Sequence, residues 1–181
     1  MTRLKNSKTV SQPILYIFVG QPGSGKTTLA QYIEKQTGAI HIWSDRIRQQ
    51  LFSSPSHSLA ETTQLFNTLN ILVTHILQLR ISVIYDTNFN HQSDRQLMCQ
   101  LAQQNGAKYK LIQIKTDRSI AKTRATALSH AQHNGYPQVM TAAIFEHLSD
   151  HTEMPVDHEQ PIVIEGNNFD FVKIDQQLQF N

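Results

Sequence analysis

One glycine-rich stretch, residues 20–27 with the sequence GQPGSGKT, has the residue types and spacing of a phosphate-binding loop. In the pattern G-x-x-x-x-G-K-[ST], the glycines let successive backbone N–H groups point at phosphate oxygens. Lys26 can then reach the terminal phosphates, and the Thr27 hydroxyl can ligate Mg²⁺. The spacing therefore predicts a site for a nucleoside triphosphate and Mg²⁺. The residues expected to bind the nucleotide are Gly23, Ser24, Gly25, Lys26, Thr27 and Thr28.

The segments on either side of this loop are those that a phosphate-binding loop requires. Residues 14–19 are an unbroken apolar run, which is typical of a strand buried on both faces. Residues 28–35 have their apolar positions at helical spacing, so the loop leads into a helix whose positive dipole end attracts phosphate. A chance glycine-rich turn is the alternative interpretation, and the complete motif in this context argues against it.

A candidate general base and its neighbour follow the predicted second strand, residues 39–43. Asp45 comes at the start of a predicted helix, at the carboxyl end of that strand, where ligands bind in open α/β sheets. Arg48 lies three residues further on and shares its helix face. The alternative is that Ser44 or Asp45 simply caps the helix and that Arg48 is its surface partner.

A second candidate carboxylate, Asp86, closes the predicted third strand, residues 81–85. In phosphate-loop proteins a carboxylate at such a position commonly faces Mg²⁺ or its water shell. We therefore expect Thr27 and Asp86 to be the metal-binding residues. Alternatively, Asp86 caps a turn formed by Asn88 and Asn90.

The rest of the chain supplies the elements that must position these groups. Strands are predicted at residues 108–114 and 160–165, and helices at 59–79, 92–104, 119–128, 139–147 and 169–180. Alternating strands and helices indicate an α/β protein with a parallel sheet and right-handed crossovers. Residues 118–140 combine two helical arms with a polar, glycine-containing tip and are expected to form a lid, an ordinary surface loop being the alternative.

Length and composition limit the class of protein. With 181 residues, 39% of them hydrophobic, we expect one domain over residues 13–181 behind a flexible tail, residues 1–12. A net charge of +2 neither requires nor excludes a polyanionic partner. Cys99 is the only cysteine, which excludes an internal disulfide. With no visible signal peptide or membrane span, the expected location is the cytoplasm.

Two other classes of phosphate-loop protein fit poorly. Lys115, Thr116 and Asp117 resemble the end of the guanine-binding N-K-x-D motif, but Ile114 stands where its asparagine is needed. Residues 86–89 also lack the glycine of a D-x-x-G switch. A motor would need a longer chain with a second subdomain. A small phosphotransferase needs only the loop, a magnesium carboxylate, an activating carboxylate and cationic lid groups.

The chain resembles the small phosphate-loop kinases that include phage-type polynucleotide 5′-hydroxyl kinase, and more distantly zeta toxins and chloramphenicol phosphotransferase. The resemblance covers about residues 14–155. Besides the loop, it is carried by D-x-x-R at residues 45–48, by D-T-N-x-N at residues 86–90 followed by Arg95, and by Arg124 and residues 136–137. It implies a P-loop NTPase three-layer sandwich, with a five-stranded parallel sheet, helices on both faces and a short lid.

The resemblance also implies roles for individual residues. Asp45 would take the proton from the attacking hydroxyl, and Arg48 would hold a phosphate of the acceptor. Arg124 would be the first lid cation, but the family's second lid arginine falls on Leu128. Arg118, Lys122, His130 and His133 are the candidates to replace it. The loop after the last strand suggests Asn167 as an adenine contact.

These observations predict a kinase that transfers the γ-phosphate of ATP to a hydroxyl, most naturally the 5′-hydroxyl of a nucleic acid end. A kinase for a small alcohol, such as a nucleoside, sugar or antibiotic, is one alternative. The other is a non-catalytic switch in which ATP only closes the lid. The presence of Leu128 in place of the second lid arginine favours this alternative. Neither a membrane nor an obligate protein partner is expected.

Overall fold

The computed structural model describes residues 9–127 and 140–180. Within them, strands and helices alternate along the chain, as the apolar patterns predict. Their order is β1 (Ile14–Val19), α1 (Lys26–Thr37), β2 (Ile40–Trp43), α2 (Ser44–Leu51), α3 (Leu59–Gln78), β3 (Val83–Asp86), α4 (Gln92–Gln104), β4 (Lys108–Lys115), α5 (Arg118–Ala125), α6 (Ala142–Asp150), a 3-10 turn (Asp157–Glu159), β5 (Ile162–Glu165) and α7 (Phe171–Leu178).

The five strands form one parallel sheet in the order β2-β3-β1-β4-β5. β3 pairs with both β2 and β1, and β4 pairs with β5. β1 and β3 are almost completely buried, as expected for strands covered on both faces by crossover helices. The predicted α/β fold of a phosphate-loop NTPase is therefore confirmed.

The described residues group into two compact units. The first contains the amino-terminal residues up to Ile17, Ala30–Thr87 and Gln96–Lys110. In it, α3 packs against β3. The buried side of α3 has apolar residues at helical spacing, which is why this sequence forms an amphipathic helix on the sheet. They are Leu65, Leu69, Val73, Ile76 and Leu77.

The second unit contains Phe18–Leu29, Asn88–Arg95 and the chain from Leu111 onward. Here α5 and α6 meet through a small cluster of buried residues, Ala121, Ala125 and Phe145, against which Met140 packs. Thr141 caps α6 by accepting a hydrogen bond from the Ile144 N–H at 3.2 Å. The cap explains why α6 begins at Ala142 and not at residue 139, where the sequence pattern had placed it.

Some predicted boundaries differ from those of the structure or lie outside the described residues. α2 begins at Ser44 with Trp43 at the N-cap position, so neither Ser44 nor Asp45 occupies the cap position of the alternative interpretation. Residues 128–139 of the predicted lid, and residues 1–8 of the predicted tail, lie outside the described residues. In the part of the tail that is described, the Val10 N–H donates to Arg80 O at 2.9 Å. No helix in the described ranges has the length and apolar character needed to cross a membrane.

Candidate functional site

The phosphate loop of the second unit has a backbone that only glycine readily adopts at two positions. Gly23 has φ of +74° and Gly25 has φ of +105°, both in the left-handed region. A Cβ atom on Gly23 would lie 2.2 Å from Ala121 O, and one on Gly25 would lie 2.8 Å from Cζ of Phe169. Both the conformation and the packing of the loop therefore require glycine at positions 23 and 25.

Lys26 and the threonines that follow it form the start of α1. Lys26 Nζ donates to Gly20 O at 2.7 Å and to Gln21 O at 3.0 Å, so its ammonium group lies against the loop backbone. Thr27 is half-buried, and the first turn of this 12-residue helix carries no acidic residue to oppose its positive dipole end. The Ser24 hydroxyl is buried with no hydrogen-bond partner among the described residues. This arrangement fits a bound phosphate chain.

The connections after β4 and β5 pack against the phosphate loop. Thr116 Oγ1 donates to Ser24 O at 2.9 Å. A Cβ atom on Gly166 would lie 2.1 Å from Thr116 Oγ1 and 2.7 Å from Ser24 O. The glycine after β5 thus allows three segments of the second unit to pack in close contact.

Arg124 and Asn167, predicted to be a lid cation and an adenine contact, are both bonded within this unit. The Arg124 guanidinium donates to Gly166 O at 2.8 Å and to Asn167 O at 2.6 Å. The Asn167 amide accepts from the Asp117 N–H at 2.8 Å and donates to the Asp117 carboxylate at 2.9 Å. Arg124 therefore anchors the loop after β5, and the two predicted ligand roles remain predictions.

Two candidates for the missing lid arginine are engaged by acidic residues that sequence reasoning did not single out. Arg118 pairs with Glu146 and with Asp150, and Lys122 Nζ donates to Glu146 at 2.7 Å. Hydrogen bonds from Lys122 and Arg118 lower the pKa of Glu146. The i,i+4 spacing of Glu146 and Asp150 on α6 was the available signal. The other candidates, His130 and His133, and the departure at Leu128 lie outside the described residues.

In the first unit, Asp86 is nearly enclosed and is held by a histidine. Its carboxylate, 4% exposed, accepts a hydrogen bond from His41 Nε2 at 3.1 Å. His41 Nδ1 lies 3.5 Å from Glu34 Oε2. Sequence reasoning missed His41, although the sequence places it two residues before the end of the predicted second strand.

Asp86 of the first unit and Thr27 of the second each carry the donor chemistry of a magnesium ligand. Carboxylate and hydroxyl oxygens are the hard ligands that Mg²⁺ prefers. No group of three or more His, Cys, Asp or Glu side chains suited to a metal occurs in the described part of the chain. A magnesium ion that takes most of its ligands from phosphates and water needs only one or two protein oxygens, so Thr27 and Asp86 remain predicted metal-binding residues.

Asp45 and Arg48 both lie on α2, but their surroundings differ. Asp45 is half-buried in the first turn. Arg48 is only 7% exposed, so it is not a surface residue. Its Nη1 donates to Glu61 Oε1 and its Nη2 donates to Thr62 Oγ1 at 3.3 Å, whereas its Nε has no partner among the described residues.

Glu61 is the partner of Arg48 and was not predicted from the sequence. Burial acts to raise its pKa, but hydrogen bonds from the backbone and hydroxyl of Ser56, from Arg48 and from the backbone of His57 lower that pKa to about 2. Ser58 accepts from the Glu61 N–H at 3.3 Å and caps α3. The S-x-x-E capping pattern was visible in the sequence, but its carboxylate turns toward Arg48 and Ser56.

Arg95, part of the family resemblance, is a buried structural centre of the second unit. Its side chain is 1% exposed and forms two hydrogen bonds to the Glu159 carboxylate, at 2.7 and 2.9 Å. It also donates to Phe89 O and to Glu153 O. Arg95 therefore ties the segment after the D-T-N-x-N motif to residues 153–159.

Comparison with known proteins identifies relatives of this fold. A family model described as an AAA domain matches residues 15–155. A search of curated protein sequences finds no significant match.

Among solved structures, a Chloroflexus aurantiacus protein provisionally assigned as a kinase has a TM-score of 0.73 at 20% identity, covering 93% of this chain and 98% of that one. The APS kinase CysC of Mycobacterium tuberculosis, in complex with AMPPNP and APS, has a TM-score of 0.65 at 15% identity, covering 93% of this chain and 96% of that one. A chain of the Pnkp1/Rnl/Hen1 RNA repair complex has a TM-score of 0.65 at 20% identity, covering 83% of this chain and 47% of that one.

Proposed function

This chain belongs to the phosphate-loop kinase family that the AAA domain model describes, and on that premise we propose that it transfers the γ-phosphoryl group of ATP to a hydroxyl. The observation that carries the proposal is the phosphate loop itself. Its glycine-dependent backbone, the Lys26 ammonium and the helix dipole of α1 converge on one place in the second unit. Small kinases with this fold need little more to hold a triphosphate.

The proposed chemistry assigns a separate task to each predicted residue. Asp45 accepts the hydroxyl proton while the acceptor oxygen bonds to the γ-phosphorus, the bond to the β-γ bridging oxygen breaks, and ADP leaves. Lys26 stabilises negative charge on the transferred group. Thr27 and Asp86 would hold Mg²⁺, which would supply positive charge to neutralise the phosphates. Arg124 would exchange its hydrogen bonds to Gly166 O and Asn167 O for contacts with the phosphates.

The acceptor favoured by the motifs is a polynucleotide 5′-hydroxyl. D-x-x-R at residues 45–48 supports this, because its arginine is suited to an acceptor phosphate. The buried Nε of Arg48 has no partner among the described residues, and an unsatisfied buried donor costs about 1–3 kcal/mol. A phosphate oxygen supplied there would remove that cost. The likeness to a chain of an RNA repair complex is in keeping with this acceptor.

A small alcohol, such as a nucleoside, sugar or antibiotic, is the second candidate. The charge of Arg48 is already balanced by Glu61, and a net charge of +2 is low for a protein that binds nucleic acid. The APS kinase likeness shows that the same fold occurs in a small-molecule kinase.

The experiment is phosphate transfer from labelled ATP to a 5′-hydroxyl oligonucleotide and to a panel of nucleosides and sugars. A polynucleotide kinase should label the oligonucleotide with a KM that rises steeply with salt, because phosphate contacts release counterions. A salt-independent KM for a nucleoside or sugar would favour the second candidate. ATP binding without transfer to any acceptor would overturn the enzymatic proposal and favour the switch.

A further inference from the structure

Three titratable side chains lie in sequence, with Glu34 of α1 next to His41 of β2 and His41 next to Asp86 at the end of β3. The proposed chemistry uses only Asp86. His41 Nε2 and Asp86 Oδ2 are 3.1 Å apart, and both side chains are less than a tenth exposed, at 8% and 4%. A carboxylate oxygen accepts hydrogen bonds, so the imidazole donates its Nε2–H. One of the two oxygens of Asp86 is therefore held by His41.

Two other side chains lie next to His41. Its Nδ1 lies 3.5 Å from Glu34 Oε2, and its ring is stacked nearly parallel to Trp43, with centroids 6.2 Å apart and an interplanar angle of 6°. In the parallel ladder Trp43 is the register partner of Asp86, and His41 precedes it by two residues. Side chains two residues apart lie on the same face of a sheet, so His41 reaches Asp86 diagonally across the ladder.

We propose that His41 is a positioning residue for magnesium: it holds Oδ2 of Asp86 and so orients this carboxylate toward the metal. The proposal rests on the function proposed above, in which Asp86 serves Mg²⁺. A buried carboxylate that must present one oxygen to a metal needs its rotation fixed through the other. Hydrogen-bonded partners of metal ligands commonly do this, and their loss typically weakens metal binding about 10–100-fold.

A purely structural pair is the competing explanation, and it makes a different prediction. If His41 only satisfied a buried carboxylate, its removal would lower stability but leave the metal affinity of the folded protein unchanged. If His41 positions Asp86, removal weakens metal binding while nucleotide binding without metal stays the same. A side chain that donates from the same place should then restore metal binding.

The test uses Mn²⁺ and ADP with the full chain, and it does not depend on catalysis. Free Mn²⁺ is followed by electron paramagnetic resonance in the presence of ADP, and ADP affinity is measured by calorimetry in EDTA. The variants are His41→Ala, His41→Gln, Asp86→Asn and, as a control for losing a histidine, His75→Ala at an exposed position of α3. Glutamine is chosen because its amide nitrogen can replace Nε2 as a donor.

We expect His41→Ala to weaken Mn²⁺ binding about 10–100-fold, His41→Gln to recover most of it, and His75→Ala to change nothing. ADP affinity in EDTA should be the same in all of them. Wild-type Mn²⁺ affinity in His41→Ala, with Asp86→Asn weakened, would overturn the positioning role alone, as would a glutamine variant no better than alanine. Unchanged Mn²⁺ affinity in Asp86→Asn would overturn both this role and the assignment of Asp86, and a wild-type protein that does not bind ADP would overturn the proposed function.

Discussion

Arg48 and Glu61 form an ion pair between α2 and α3 in which each side chain is only 8% exposed. The sequence motif placed Arg48 where the related kinases hold an acceptor phosphate, but it contained no sign of a carboxylate partner. Glu61 also accepts hydrogen bonds from the backbone and hydroxyl of Ser56. The pair therefore links the helix that carries Asp45 to the connection between α2 and α3.

Replacing Glu61 should change the pH dependence of stability. Although burial acts to raise the pKa of Glu61, hydrogen bonds from Ser56, Arg48 and His57 lower it from 4.5 to about 2. A carboxylate whose pKa is lowered on folding stabilises the protein above its ordinary pKa, and this contribution is lost as the pH falls through the lower value. We expect Glu61→Gln to be less stable than wild type at neutral pH, by a margin that shrinks between pH 4.5 and about 2.

Urea unfolding at a series of pH values would measure this margin. Glu165→Gln, at an exposed position on β5, is the control and should keep a small and constant difference from wild type. A pH-independent margin for Glu61→Gln would show that the carboxylate is not ionised through its contacts with Arg48 and Ser56.

Replacing Lys26 should weaken ATP binding without affecting the fold. Its ammonium lies against Gly20 O and Gln21 O in the phosphate loop, where a charge-assisted hydrogen bond to phosphate is worth about 1.5–3 kcal/mol. We expect Lys26→Ala to lower ATP affinity about 10–100-fold by calorimetry. Lys35→Ala, at the exposed end of the same helix, should bind ATP like wild type. Equal affinities for the two variants would contradict the phosphate-loop assignment.

Replacing Gly23 should disrupt the loop more than its backbone conformation alone would require. Gly23 and Gly106 have similar φ values, +74° and +65°. A Cβ atom on Gly23 would lie 2.2 Å from Ala121 O, whereas one on Gly106 would meet only the Arg80 side chain, at 3.4 Å. Gly23→Ala should therefore lose most ATP binding, and Gly106→Ala should lose only stability. Calorimetry with ATP and thermal unfolding separate the two effects, and intact ATP binding in Gly23→Ala would contradict this packing argument.

The sequence was sufficient to predict the fold and the position of the phosphate loop because both depend on local patterns. Buried parallel strands are continuous apolar runs, helices repeat their apolar residues every three or four positions, and the loop is one contiguous motif. The strand bounds agree within two residues, as for β3, predicted at 81–85 and observed at Val83–Asp86.

Partners contributed by distant segments could not be predicted in this way. Arg48 meets Glu61 across 13 positions, His41 meets Asp86 across 45, and Arg124 meets Gly166 across 42. Each contact depends on how helices and strands pack, and no single periodicity reports that. The sequence therefore predicted candidate residues such as Arg48 and Asp86 without the side chains that pair with them.

Replacing Asp45 should abolish transfer and spare nucleotide binding. A general base typically contributes about 10²–10⁴-fold to the rate, so Asp45→Asn should lower kcat by that factor. Because the proposed role is limited to the acceptor proton, ATP affinity should stay within about twofold of wild type. Asp94→Asn, exposed on α4, is the matched control. Full transfer by Asp45→Asn in the labelled-ATP assay would rule out this residue as the base.

Removing Arg95 should destabilise the protein more than removing any exposed arginine. Its fully buried guanidinium donates twice to Glu159 and also binds Phe89 O and Glu153 O, and hydrogen bonding from Arg95 lowers the pKa of Glu159. Breaking a buried ion pair by deleting one partner typically costs about 3–5 kcal/mol, because the other charge is left buried without compensation.

We therefore expect Arg95→Ala to lower the free energy of unfolding by about that amount in urea, and Arg46→Ala, exposed on α2, to change it little. Arg95→Lys should recover only part of the loss, since an ammonium group cannot reproduce the two parallel bonds to Glu159. If Arg95→Ala unfolded like Arg46→Ala, the segment after the D-T-N-x-N motif would have to be held by other contacts. The presence of Arg95 in the family pattern would then have to be explained by a direct role in binding or transfer.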